Sequence, residues 1–225
     1  MVEAYGGWVR VVGVDGAKGG WVAAELVDGK LGAIRVFPDF NSLLEEFEGS
    51  AEVVAVDMPI GLPDDGDRPG DHAARRFIGP RASSVFPTPP RWVLEATDYE
   101  AAQALRPTDM KGVSRQSFAM IAKIKEVAAA VEHRSGVYEV HPEVSFRALK
   151  GSALQWPKKS YQGTTERLRL LEAIRIYVPL ERMAGCELDD VVDACVAAWS
   201  AARIAMGKAE RLPAGSTDER GVIWY

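Results

Sequence analysis

Two short apolar runs, each closing on an aspartate at a turn, constrain this chain most. The first is Trp8-Val-Arg-Val-Val-Gly-Val-Asp15, followed by Gly-Ala-Lys-Gly-Gly. The second is Val53-Val-Ala-Val-Asp57, stopped by Met58-Pro-Ile-Gly-Leu-Pro63. Runs this short and this rich in β-branched residues predict core strands, the second buried on both faces. Glycine and proline then end each run, so each acid stands at the carboxyl end of a strand. In open α/β sheets, ligand sites gather there. A lone Asp in that position is also explained as a turn cap. Two of them on adjacent parallel strands would be close enough to share a hard cation through oxygen ligands.

The rest of the chain supplies a sheet for those strands. Trp21 to Val27 reads as a second strand, Asp28-Gly29 as a hairpin turn and Leu31 to Phe37 as a third strand, giving an antiparallel meander. Gly16-Ala-Lys-Gly-Gly20 lacks the phosphate-loop pattern and precedes a strand, so it reads as a turn. Ser42 is expected to cap a short helix, Leu43 to Phe47. From Asp64 to about Pro107 the chain is loop-rich, with helices expected at Asp71–Ile78 and from the capping box at Thr97-x-x-Glu100. Phe118, Ile121, Ile124, Val127 and Val131 predict one long amphipathic helix from Ser114 to about His133. Gly136–Val140 reads as a strand. Helices follow near Val144–Leu149, from Thr164 or Thr165 through about Ile176, and from Glu187 to Met206.

This order predicts the α/β class: a five-stranded mixed sheet, its first three strands an antiparallel meander, with helices on both faces. The expectation is a single domain over 1–225, with a mostly helical insertion at about 58–135 between the fourth and fifth strands. That insertion would serve as a lid, a substrate clamp or the surface of a homodimer.

Composition narrows the function. At 225 residues, 47% hydrophobic and 26% charged, the chain can bury a sizeable core. Cys186 and Cys195 lack zinc-ligand spacing and read as reduced thiols of a cytoplasmic protein. Met1 to Arg10 does not resemble a signal peptide, and no apolar stretch is long enough to span a membrane. A net charge of −5 argues against a large non-specific nucleic-acid footprint, which phosphate neutralisation would favour with a basic balance. It leaves room for a small one.

A third acidic group lies in Glu187-Leu-Asp189-Asp190-Val-Val-Asp193. Asp190 and Asp193 share a helix face. The helix N-terminus accounts for Asp189 as a cap, and for Asp190. It accounts poorly for Asp193, set among Val191, Val192, Ala194 and Cys195, where a carboxylate needs a partner. Glu139 and Glu143 flank His141 near another strand end. A first-turn position is the structural explanation of Glu143, and a hydrogen-bonded structural role that of His141. Arg81 beside Ser83 and Ser84, Lys123, the Lys158-Lys159 pair and Arg167 are candidate phosphate contacts. Each alone is also explained as a solvated charge.

Several stretches, spread in order over nearly the whole chain, resemble a known family. They are Val14-Asp-Gly-Ala-Lys-Gly-Gly-Trp-Val22, Val56-Asp-Met-Pro-Ile-Gly-Leu-Pro63, Gly79-Pro-Arg-Ala-Ser-Ser-Val-Phe-Pro87, Gln116 to Glu126, Glu139-Val-His-Pro-Glu143 with Ser145-Phe146, Lys158-Lys159 with Gly163 and Arg167, and Asp189-Asp190-x-x-Asp193-Ala. The chain resembles the domain of unknown function 429 family, described as predicted ribonuclease H-like nucleases. More distantly it resembles the ribonuclease H-like superfamily, which includes Holliday-junction resolvases. The resemblance implies a ribonuclease H-like fold with Asp15 as first-strand metal ligand, Asp57 as fourth-strand acid, and Asp190 and Asp193 as late-helix acids. Position 57 departs from the resolvase pattern in being Asp rather than Glu. No clear counterpart of the first-helix Glu of true ribonucleases H is present, since Glu45 and Glu46 read as a solvated face.

The expectation is therefore a nuclease or phosphodiesterase using Mg²⁺ or Mn²⁺ held by Asp15, Asp57, Asp190 and Asp193, with Glu139 and Glu143 as further acids. Its substrate would be a nucleic acid or a small phosphorylated molecule. The alternatives are a small-molecule phosphate hydrolase or phosphotransferase on the same fold, and a catalytically silent scaffold.

Overall fold

The computed structural model describes residues 9–64, 68–108, 110, 112–217 and 221–225. Strands β1 (Arg10–Ala17), β2 (Gly20–Val27) and β3 (Lys30–Phe37) form the meander. Asp28 and Gly29 both take positive φ, 50° and 74°, which a two-residue hairpin turn with the sheet's twist requires. Helix α1 (Phe40–Phe47) and β4 (Val53–Val56) follow. Between β4 and β5 (Val137–Glu139) the chain carries α2 (Pro69–Ile78), 3₁₀ segments at Gly79–Ser84 and Arg91–Glu95, α3 (Tyr99–Ala104), α4 (Arg115–Ala119) and α5 (Ile121–Val131). Helices α6 (Pro142–Lys150), α7 (Tyr161–Ala173) and α8 (Leu188–Ala205) complete the main body. Two short strands, β6 (Arg211–Leu212) and β7 (Ile223–Trp224), pair beside it.

The five-stranded sheet has the order β3-β2-β1-β4-β5, with β1 parallel to β4 and β4 parallel to β5. Its period-two alternation splits the core in two. Val11, Ala17, Val53 and Ala55 pack with α8, whereas Val12, Val14, Val54 and Val56 pack with α1 and α5. Helices thus cover both faces, as a buried parallel centre requires.

This parity aims the acids. Val14 pairs with Val56, and the Asp57 amide donates to the Val14 carbonyl at 2.9 Å. Asp15 and Asp57 therefore leave adjacent strands at one level, on the α8 side. Gly13 lets α8 come down onto β1, because a Cβ there would lie 1.9 Å from the Ala198 nitrogen and 2.2 Å from the Ala194 oxygen. That close approach lowers Asp193, one turn earlier on α8, to the level of Asp15.

Several boundaries differ from the sequence expectation for identifiable reasons. Strand β1 begins at Arg10, and Trp8 lies outside the described residues. Asp39, not Ser42, caps α1, accepting the Ser42 amide at 2.8 Å. Asp98 caps α3 and Ser160 caps α7, one turn before Thr164. The expected long helix is broken at Met120, whose amide bonds back to the Ser117 carbonyl, while the Ser117 hydroxyl reaches the Pro87 carbonyl. Glu187 rather than Asp189 caps α8.

Candidate active site

Asp15, Asp57 and Asp193 meet at one end of a cavity of about 560 Å³ that also opens onto Lys158, Lys123, His141 and Glu143. Asp15 is 7% exposed and Asp193 2%. The Asp15 and Asp57 carboxyls lie close enough for their titrations to be linked, Asp15 favouring the charged form of Asp57. The Asp15 oxygen Oδ1 also accepts the Gly16 amide at 2.8 Å. Lys158, in the loop between α6 and α7, places Nζ 2.6 Å from Asp193 Oδ2 and 3.8 Å from Asp189. Lys159 stands 3.5 Å from Asp189.

The electrostatics follow from crowding. Burial, then the charges of Asp57 and Asp193, push the Asp15 carboxyl well above the usual range. Burial raises Asp193 to about 6 even though Lys158 opposes it. Burial also raises Asp57, against the charges of His141 and Lys158. Lys158 is the mirror case: burial disfavours its ammonium, and Asp193, Asp15 and Asp57 outweigh that and raise it.

These shifts fix a pH dependence. The native chain keeps protons on these acids at a pH where the unfolded chain, with carboxyls near about 4, has released them. Stability contributed by these groups is therefore present at low pH and is lost as pH rises through about 6. Thermal melts without divalent cation should show a higher midpoint at pH 5 than at pH 8. The difference should shrink in Asp193→Asn. An unchanged difference in that variant would remove Asp193 as its source.

The other sequence candidates divide. Asp190 is outside the cavity's lining, and its carboxylate accepts the Glu187 amide at 2.9 Å in a capping box. Glu139 has the parity of Val56, with which it pairs, and still lines the cavity at the strand end. There Arg68 bridges it to Asp71, with Arg68 Nη2 2.7 Å from Asp71, and Asp71 accepts from Thr88. Arg68 and Asp71 carried no motif signal. The chance to find them lay in Glu139's parity, which requires a buried cation beside it.

Glu143 opens α6, and its Oε1 accepts from Arg167. Arg167 is 1% exposed and also donates to the Gly163 carbonyl, so it is held inside rather than offered to a phosphate. His141 caps α6 through Nδ1, which accepts the Glu143 amide at 3.2 Å. Lys123 lies over the Trp21 ring at 4.3 Å and donates to the Gly20 carbonyl, and burial lowers its pKa. Arg81 and Ser84 line the cavity, as does Lys159, whereas Ser83 is exposed and outside its lining.

The donor chemistry fits a hard divalent cation: carboxylate oxygens from three elements, of which only Asp193 is ion-paired with Lys158, and buried carboxyls whose charged forms are disfavoured without a cation. As the side chains stand, among the described residues no group of three closes around one point at ligating distance. Lys158 Nζ stands against Asp193, in the place of a cation.

The model of the family described as "Protein of unknown function (DUF429)" matches residues 13–218. The chain belongs to this family. For the DUF429 chain the matched span takes in all the acids above, from Asp15 to Asp193. No curated protein matches it. Among solved structures it is similar to one titled "Thermus thermophilus RuvC structure", at 14% identity and a TM-score of 0.42, covering 89% of this chain and 98% of that one. The sheet itself has the architecture expected from the sequence: five strands in the order β3-β2-β1-β4-β5, an antiparallel meander and parallel fourth and fifth strands. No described helix is long and apolar enough to cross a membrane.

Proposed function

We propose that this chain is a divalent-cation-dependent phosphodiesterase of the nuclease type, acting on a nucleic acid or a nucleotide. One observation carries the reading: Asp15, Asp57 and Asp193, from three separate elements, line one cavity, where Lys158 is ion-paired with Asp193. Mg²⁺ or Mn²⁺ would be held by Asp15, Asp57 and Asp193, while Asp190 keeps its carboxylate on the Glu187 amide. When bound, the cation supplies Lewis acidity toward a phosphoryl oxygen and makes a water more acidic. The chain does the rest. Arg81, Lys123 and Lys159 also line the cavity and would orient a phosphate beside the acids. Lys158, released from Asp193, is close enough to join them.

Lys158→Met tests that arrangement. Removing the ammonium leaves Asp193 without a competitor, so Mn²⁺ should bind on the order of tenfold more tightly. Turnover at saturating Mn²⁺ should nonetheless fall about 10- to 100-fold, the scale of one lost charge-assisted contact. Weaker Mn²⁺ binding would show that Lys158 supports the site rather than occupying it.

The function itself is tested with single-stranded, duplex, hybrid and junction substrates in Mg²⁺ and Mn²⁺. Cleavage abolished by Asp15→Asn is the expected result. A second reading, hydrolysis or transfer on a small phosphate ester, is favoured by the cavity's size and the net charge of −5. Turnover of nucleotides without cleavage of any oligonucleotide would select it.

A further inference from the structure

Glu143 carries an oxygen that no described residue satisfies. The residue is 4% exposed, Arg167 donates to Oε1, and Oε2 is buried with no hydrogen-bond partner among the described residues. A buried carboxylate oxygen left bare costs about 1–3 kcal/mol or more, so its persistence asks for a ligand. Glu143 lines the same cavity as Asp57 and Asp193 and is near enough that its charge raises the pKa of both. Arg167 fixes the side chain from behind and is itself held by the Gly163 carbonyl. Asp190, by contrast, has its carboxylate on the Glu187 amide.

We infer that Glu143 is a cation ligand, supplying Oε2 to the divalent cation held by Asp57 and Asp193, and that Asp190 serves the helix cap instead. The assignment rests on the proposed cation site and deepens it. It follows from chain geometry. Residue 143 falls in the first turn of α6, just past the end of β5, and β5 lies beside β4, which delivers Asp57. The Arg167 guanidinium offsets the extra acid, so adding a fourth carboxylate does not add a full uncompensated charge.

The test is Mn²⁺ affinity, read by calorimetry and by the rise in melting midpoint, on the intact chain. Glu143→Gln should weaken Mn²⁺ on the order of 10- to 100-fold, and Asp190→Asn should leave it within about threefold. Glu143→Asp separates ligation from a general field. It keeps the charge and shortens the reach, so a ligand loses affinity and a mere field source does not. Should Glu143→Gln unfold by stranding Arg167, Glu143→Gln with Arg167→Met removes both charges and must show the same loss.

Unchanged affinity in Glu143→Gln or in the folded double variant, or wild-type affinity in Glu143→Asp, overturns the assignment while leaving the cation site standing. Equal weakening by Asp190→Asn overturns the claim about the cap. Absence of any Mn²⁺ binding to the wild type sinks both the assignment and the cation site.

Discussion

Asp15→Asn should abolish Mn²⁺-dependent stabilisation and lower turnover about 10³-fold or more, while the cation-free variant melts above the wild type. The two signs come from one cause. Without a cation, Asp15 is a buried carboxyl pressed by Asp57 and Asp193, and its raised pKa shows that its charged form is disfavoured there. An amide of the same shape removes that repulsion and still meets Asp57 with an N–H. Each kcal/mol gained should lift the midpoint about 2–4 °C in a chain of this size. With Mn²⁺ the balance reverses, because the repulsion that destabilises the empty site is what attracts the cation. Loss of that attraction costs several kcal/mol of transition-state charge stabilisation. Differential scanning fluorimetry at pH 8, with and without Mn²⁺, reads both signs. A cation-free midpoint below the wild type would mean that Asp15 is chiefly structural.

Gly13→Ala should be a severely damaging conservative change in the sheet. The added Cβ would meet backbone atoms of α8, at 1.9 Å, 2.2 Å and 2.6 Å, and none of those atoms can swing aside. Either α8 lifts from β1 or β1 shifts in its ladder. Overpacking costs about 1–3 kcal/mol when side chains can give, and a backbone clash should reach about 3 kcal/mol or more. The functional consequence is sharper than the stability loss. Ala194 and Ala198 bracket the contact, and Asp193 precedes Ala194, so lifting α8 carries Asp193 away from Asp15. Urea denaturation and Mn²⁺ titration should both register it. A Gly13→Ala protein of wild-type stability and wild-type Mn²⁺ affinity would refute the close packing of α8 on β1.

The parts of this architecture legible in the sequence are those set by local chemistry. β-branched runs gave β1 and β4, Asp28-Gly29 gave the meander's turn, and strand-terminating glycine and proline put Asp15 and Asp57 at the strand ends. Asp193 was legible because no capping argument explains a carboxylate between apolar neighbours. What escaped were features decided at a distance. Glu139 read as a further acid near a strand end, and nothing local announced that Arg68 would hold it. Arg167 looked like a free cation because its burial comes from Glu143, Gly163 and Trp156, none of which its own helix reveals. The break at Met120 arises where Ser117 turns its hydroxyl to Pro87, thirty residues earlier. Strands β6 and β7, at two residues each, are too short for any periodicity to announce.

The central claim is that the three aspartates are a cation site in which Lys158 now stands. A crystal structure grown in Mn²⁺ tests it most directly, through anomalous scattering at the manganese edge. The account predicts a peak in contact with Asp15, Asp57 and Asp193, with Lys158 Nζ withdrawn from its present 2.6 Å approach to Asp193. At saturating Mn²⁺, no peak at those carboxylates and an intact Lys158–Asp193 pair would contradict it.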